Sequence, residues 1–274
     1  MSDRLEITIL GSGSSGGVPR LGGTDGAGNW GACDPANPRN RRSRCSILVR
    51  RIGAAGATRL LVDTAPDMRE QLMEARVPHL DAVLMTHDHA DQLHGIDDLR
   101  ALVIAQRKRI DLYADEINLR GIKQKFGYIF ERPEGSDYPP ILNAHALPEP
   151  FDRFSLSGPG GEIDILPFEQ EHGRIRSLGY RFGNFAYSPD VSALPESSFA
   201  QLEGLDLWVV DALRYAHHPT HANVETALAW IARLRPRHAV LTNLHVDLDY
   251  DRLKRELPPG VEPAYDGMSL RVAL

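Results

Sequence analysis

The sequence predicts an α/β fold. Apolar, β-branched runs alternate with segments of helical periodicity, and the second half repeats the strand-and-helix order of the first. Residues 207–211, 224–234 and 239–242 read as a complete βαβ unit. In chain order, residues 5–9 alternate as a half-buried strand and run into the glycine- and serine-rich stretch 11–17. Residues 46–50 and 59–63 pair as strands about the turn 53–56. Residues 67–76 read as a helix, with Pro66 just before it and Pro78 just after. Residues 81–85 are a strand. Residues 95–107 have helical spacing through Ile96, Leu99, Leu102 and Val103, followed by a strand at 110–113 and a helix at 116–126. The proline-rich stretch 133–140 is a loop. A strand from 163 ends near Phe168, and 178–182 and 185–188 form a hairpin about Gly183 and Asn184. No low-complexity linker separates the halves, so residues 1–274 read as a single domain.

Composition narrows the class. The chain is 42% hydrophobic and 25% charged, ordinary for a soluble globular protein. A net charge of -6 argues against a broadly basic nucleic-acid surface, though a local cationic pocket remains compatible with it. Two cysteines, Cys33 and Cys45, make no disulfide framework and read as small buried side chains. No window reaches the apolar length of a membrane span, and Met1 to Arg4 leads into a strand without a signal-peptide core, so a cytoplasmic location is expected.

The segment Thr86-His87-Asp88-His89-Ala90-Asp91-Gln92-Leu93-His94 follows the apolar run 82–85 directly. A strand ending this way delivers imidazoles and a carboxylate together at a sheet edge, and these ligands suit zinc, manganese and iron. If the segment stays extended, period-two alternation projects His87, His89 and Asp91 to one side. The competing reading is a polar loop whose histidines cap the following helix.

The spacing resembles the His-x-His-x-Asp-His signature of the metallo-β-lactamase superfamily, with Gln92 standing where the family has its third histidine. The resemblance implies an αββα sandwich, two mixed sheets with helices on the outer faces. Residues 11–19, Asp34-Pro35, 40–46, 93–100 and 126–130 resemble the phosphoribosyl cyclic phosphodiesterases of the carbon–phosphorus lyase pathway, so the likeness runs over most of the chain. That branch also carries a structural zinc on closely spaced cysteines and a histidine. Cys33 stands without neighbouring cysteines, so that zinc is not expected here.

Further ligands belong at the ends of later strands, where a rigid scaffold holds them. His172, Asp190 and His245 occupy such ends and match, in order, the superfamily's histidine, bridging aspartate and final histidine. The resemblance thus implies two divalent ions, zinc or manganese. His87, His89 and His172 hold one, Asp91 and His245 the other, and Asp190 bridges them. A glutamine carbonyl is a weaker ligand than imidazole, so the second site is expected to be weaker and richer in oxygen. Whether Gln92 or His94 completes it stays open. Asp63 is either an outer carboxylate orienting a metal-bound imidazole or a cap for the bend at 64–66.

His221 follows Pro219-Thr220 at a helix start, where in this branch a histidine lies at the active site; substrate-phosphate binding or proton donation is expected of it. His217 and His218 are expected in solvent, and His79, His145 and His238 have no assigned role. Of Arg41, Arg42 and Arg44, at least two are expected on a solvated face.

The resemblance implies metal-assisted hydrolysis of a small cyclic or nucleotide-like phosphodiester, with Asp91, Asp190 and His221 as catalytic residues. The expected partner is that phosphate ester; neither a membrane nor a nucleic acid is expected, and a homodimer is compatible with the reading. Two rivals stand beside it. One is a nucleotide-binding or metal-sensing module disabled by Gln92. The other is a tRNA-processing endonuclease, for which the long basic arm is missing.

Overall fold

The computed structural model describes residues 4–149 and 151–274; the first three residues, read above as the lead into a strand, lie outside them. The first sheet comprises β1 (Arg4–Gly11), β2 (Ser46–Gly53), β3 (Gly56–Val62), β4 (Ala82–Leu84), β5 (Ile110–Asp115) and β6 (Leu142–Leu147). The second comprises β7 (Phe154–Gly158), β8 (Gly161–His172), β9 (Ile175–Phe182), β10 (Phe185–Ser188), β11 (Leu207–Asp211), β12 (His238–Thr242) and β13 (Val261–Pro263). The last strand, β14 (Ser269–Ala273), returns to the first sheet beside β1. Strand order is β14-β1-β2-β3-β4-β5-β6 in one sheet and β13-β12-β11-β10-β9-β8-β7 in the other. The helices are α1 (Met68–Glu74), α2 (Ala90–Leu93), α3 (Leu99–Gln106), α4 (Glu116–Phe126), α5 (Glu196–Gln201), α6 (Val224–Leu234) and α7 (Tyr250–Glu256).

Period-two alternation sorts the apolar side chains into layers. Ile47, Val49, Leu60, Val62 and Leu84 of the first sheet meet Ile163, Ile165, Tyr180, Phe185 and Val209 of the second in a shared core. Their neighbours Leu48, Leu61, Val83 and Leu112 face the other way, onto Met68, Leu72, Leu99, Leu119 and Ile122 of the helices. On the far side, Trp208, Val210 and Leu241 pack on Phe199, Ala227, Ile231 and Leu253. Strands buried on both faces read as continuous apolar runs, which is why 82–85 and 207–210 looked uninterrupted in the sequence. The result is the αββα sandwich.

The sequence reading located the α4, α6 and β9–β10 boundaries closely, and β2 pairs with β3 as expected. It ended β8 too early. That strand continues to His172, because Glu169, Gln170 and Glu171 keep pairing with β9 while their polar side chains alternate outward and inward. The helix read at 95–107 divides into a short 3-10 turn at Ile96–Asp98 and α3.

The strands β3 to β6 run parallel, as do β10 to β13. Their carboxyl ends therefore lie along common edges, where ligands of α/β sheets gather. The glycine-rich stretch after β1 does not open a phosphate cradle; it threads between two other segments. Gly13 bridges to Arg44 and to Leu244, and a Cβ on it would stand 2.9 Å from the Ser43 carbonyl. Asp266 fastens this crossing, accepting from Ser12 N and Oγ (2.9 and 2.7 Å) and from Ser43 N and Oγ (both 2.6 Å). Asp266→Ala leaves the buried Ser12 amide without a partner, at about 1–3 kcal/mol. A fall of roughly 2–10 °C in Tm is expected by differential scanning calorimetry; an unchanged Tm would show that the carboxylate is not the fastener.

Candidate metal centre

Six strand ends converge on one edge. The chain leaves β3 at Asp63, leaves β4 through Met85 and Thr86 to His87, ends β8 at His172, leaves β10 through Pro189 to Asp190, ends β11 at Asp211, and leaves β12 at Asn243. Asp63, Asp190 and Asn243 adopt left-handed backbone angles, with φ of 64°, 49° and 63°. Short polar side chains tolerate this region best. Each turns the chain sharply as it leaves the sheet and keeps its side chain buried at the edge.

Three imidazoles form the centre. The rings of His87 and His89 lie 4.5 Å apart, and those of His87 and His89 lie 5.2 and 5.1 Å from His172. Their ligand nitrogens lie within 4.8 Å of one another. Each buried ring is aimed by a partner on its other nitrogen. Asp63 accepts from Thr86 N (2.8 Å) and from the Thr86 hydroxyl (2.9 Å), so that hydroxyl is left to accept from His87 Nδ1 at 3.0 Å. His172 Nδ1 donates to the Thr220 carbonyl at 2.7 Å. Such partners fix the tautomer and leave Nε2 with its lone pair. His87 Nε2 is buried with no hydrogen-bond partner, the condition of a nitrogen placed to ligate. Burial, followed by the neighbouring His172 and His89, holds His87 well below the usual imidazole range. Burial and then His221 lower His172 to about 4. Both are neutral donors at physiological pH. Between the histidines, Asp88 is drawn outward by Lys125, whose ammonium donates to its carbonyl and carboxylate at 2.6 Å.

Asp190 lies beside this trio, with a carboxylate oxygen within 4.8 Å of ligand nitrogens on His172 and His221. Its turn is held by Ser177 Oγ donating to its carbonyl and by Gln170 donating to that of Pro189, both at 2.9 Å. Gln92 Nε2 donates to Asp190 Oδ2 at 3.0 Å and Asn243 Nδ2 to Oδ1 at 3.3 Å. Burial pushes Asp190 up to about 8; a cation alongside would pull it back down. His221 is the charged member. Burial works against its protonation, but the Asp211 carboxylate, 2.7 Å from Nδ1, outweighs that and lifts it to about 9.

The Beta-lactamase superfamily domain matches residues 58–243, more than half of the chain. A crystal structure described as a new diphosphatase from the PhnP family is 34% identical, with a TM-score of 0.87, covering 100% of this chain and 99% of that one. The chain belongs to the metallo-β-lactamase superfamily and, within it, to the PhnP family. The zinc-bound PqqB of Methylobacterium extorquens shares the superfamily fold at 19% identity, with a TM-score of 0.72 over 97% and 99% of the two chains. An octanoyltransferase of Porphyromonas gingivalis is 32% identical over 96% of this chain, which spans 51% of that relative's length.

Members of this superfamily bind divalent metal through such clusters, and the structure brings some of the residues read from the sequence together and places others apart. His87, His89 and His172 come together, and His172 also lies with Asp190 and His221. Asp91 does not alternate with the histidines on an extended segment. The chain turns helical at Ala90 because Thr64 N and Oγ1 take the carbonyls of Gln92 and Leu93, and Gly95 packs where a Cβ would stand 2.1 Å from the Ala65 carbonyl. Asp91 acts on Asp190 and His221 through its charge. His94 caps α2 and sets its ring edge-on to Phe126 at 5.6 Å, away from the trio. His245 is also elsewhere: its Nδ1 pairs with Asp247 at 2.9 Å, and it belongs to neither ligand group. Asn243, two residues earlier, takes the place at Asp190.

His218, expected in solvent, is half-buried with its ring 5.1 Å from His221, whereas His217 is exposed. Arg42 is buried and donates to the His245 and Leu248 carbonyls, while Arg44 pairs with Asp67 and Arg41 covers Trp30. Asp211 and Asn243 went unassigned in the sequence. Both sit at a strand's carboxyl end, and that position was the available signal. Thr86→Val removes the hydroxyl linking Asp63 to His87 and is expected to weaken metal affinity roughly 10–100-fold in a chelator-competition titration. Unchanged affinity would mean that His87 is oriented by packing alone.

Proposed function

We propose that this chain is a metal-dependent hydrolase of a phosphodiester in a small cyclic or nucleotide-like ester. The observation that carries the reading is the pairing, at one edge, of an imidazole trio with a His221–Asp211 couple whose Nδ1 and carboxylate lie 2.7 Å apart. His87, His89, His172 and Asp190 would hold a divalent ion, and the orphaned His87 Nε2 fits that use. A cation there would supply Lewis-acid activation of water and of the phosphoryl oxygens. Nitrogen and carboxylate donors suit zinc or manganese alike.

His221 is the substrate-side residue. Asp211 holds its Nδ1, so Nε2 is left to donate to a phosphate oxygen or to protonate the leaving oxygen. Asp91, half-buried in the first turn of α2, is assigned to orienting the attacking water. Among the described residues, no helix is long and apolar enough to cross a membrane.

Chelator-treated protein is expected to lose hydrolysis of an activated aryl phosphodiester and to regain it with manganese or zinc. Asp190→Ala should stay at the chelated level, and His221→Ala should lower kcat by about 10²–10⁴-fold. Retained turnover in Asp190→Ala overturns the assignment. The similarity to a diphosphatase adds a nucleoside diphosphate to the substrate panel. The half-length match to an octanoyltransferase adds an octanoyl thioester. Turnover of the thioester alone would move the reading to acyl chemistry, and tight mononucleotide binding without hydrolysis would move it to a binding module.

A further inference from the structure

Asp190 is gripped on both oxygens by carboxamides, and this bears on how many cations the edge can hold. Resting on the metal-hydrolase reading above, we propose that the chain binds one divalent cation, because Gln92 and Asn243 occupy with amide hydrogens the side of Asp190 that a second would need.

An ionised carboxylate offers about four lone-pair positions on its two oxygens. Gln92 Nε2 takes one on Oδ2 at 3.0 Å and Asn243 Nδ2 one on Oδ1 at 3.3 Å. Enough remains for an ion shared with the imidazoles, since Asp190 and His172 present ligand atoms within 4.8 Å of each other. A second ion would face N–H groups carrying partial positive charge, at a carboxylate already committed to the first. It would also be short of donors: the second candidate group, His172, Asp190 and His221, shares two members with the first, and Asp211 holds the His221 ring at Nδ1, 2.7 Å away. The His245 ring is paired with Asp247 at 2.9 Å, and His94 lies against Phe126. Asp91 and the Gln92 carbonyl remain. Gln92 Oε1 is buried without a partner, and it is the atom through which a second ion would enter if the proposal is wrong. One carboxylate and one amide carbonyl are a poor set for zinc, which takes four ligands of the imidazole, thiolate or carboxylate kind.

The two amides thus act as positioning residues, steadying the carboxylate from behind in place of a metal. Their sequence positions support a shared purpose. Gln92 lies on α2 of the first sheet's half and Asn243 at the end of β12 in the second, so the two halves contribute one donor each.

The test is metal content, independent of turnover. Protein loaded with excess manganese or zinc and desalted is expected to retain one equivalent per chain by elemental analysis. With manganese it should give the electron paramagnetic resonance spectrum of an isolated ion. His172→Ala should lose that equivalent. Gln92→His combined with Asn243→His, which sets imidazoles against both Asp190 oxygens, is expected to retain two equivalents and to show exchange coupling. Two equivalents or a coupled spectrum in the wild-type chain overturns the one-ion proposal and leaves the hydrolase reading standing. No retained metal in the wild-type chain overturns both. A folded double variant that still retains one equivalent overturns the part given to the two amides.

Discussion

The seam between the two sheets depends on how the loop after β4 is tied to β9. Tyr180 donates its hydroxyl to the Met85 carbonyl at 2.7 Å, and Leu178 N donates to the Thr86 carbonyl at 2.9 Å. These bonds satisfy carbonyls that burial would otherwise leave unpaired, a loss costing about 1–3 kcal/mol each. They also fix where His87 stands. Because β9 belongs to the second sheet and pairs with β8, the same ties bring the end of β8, and so His172, against His87. The meeting of His87 and His172 is a consequence of how two sheets join, through hydrogen bonds to the Met85 and Thr86 carbonyls.

Within a few ångströms the edge then sustains two opposite electrostatic states. His87 and His172 are buried among other imidazoles and stay neutral. His221, whose ring lies only 4.7 Å from that of His172, is charged because Asp211 sits on its Nδ1. Burial opposes protonation of all three, and the nearest partner decides whether it prevails: a carbonyl or hydroxyl leaves a lone pair free, whereas a buried carboxylate holds a proton on the ring. This division separates donors suited to a cation from a group suited to hand over a proton. It needs residues from both halves of the chain.

How much of this was legible can be read from particular residues. The run 82–85 followed by alternating histidines identified the edge, since few other purposes place imidazoles there. Asp190 was found because it follows a strand. The same rule pointed equally at Asp211 and Asn243, but residue type drew attention past Asn243 to His245. A histidine three residues beyond a strand end is free to turn elsewhere, and Asp247 with the Leu213 carbonyl holds His245 in another direction. The alternation expected at Asp91 gave way for a local reason: it holds only while the chain is extended, and Thr64 draws the segment into a helical turn one residue after His89. That contact joins residues nearly thirty positions apart and leaves no local trace in the segment itself.

By itself the sequence determined the α/β class. Strand periodicity and doubly buried apolar runs give that class, and the two-sheet sandwich entered through the family resemblance of its motifs. It also determined which chemistry collects at the carboxyl edge, because imidazoles and carboxylates cluster only where strands stop. Only the tertiary structure decided which of those groups meet. That choice rests on left-handed turns at Asp63, Asp190 and Asn243, on Arg42 holding the His245 carbonyl, and on amides from separate halves closing on Asp190. A strand's length and pattern are written in neighbouring residues. The direction in which a side chain leaves its end is set by hydrogen bonds to distant ones.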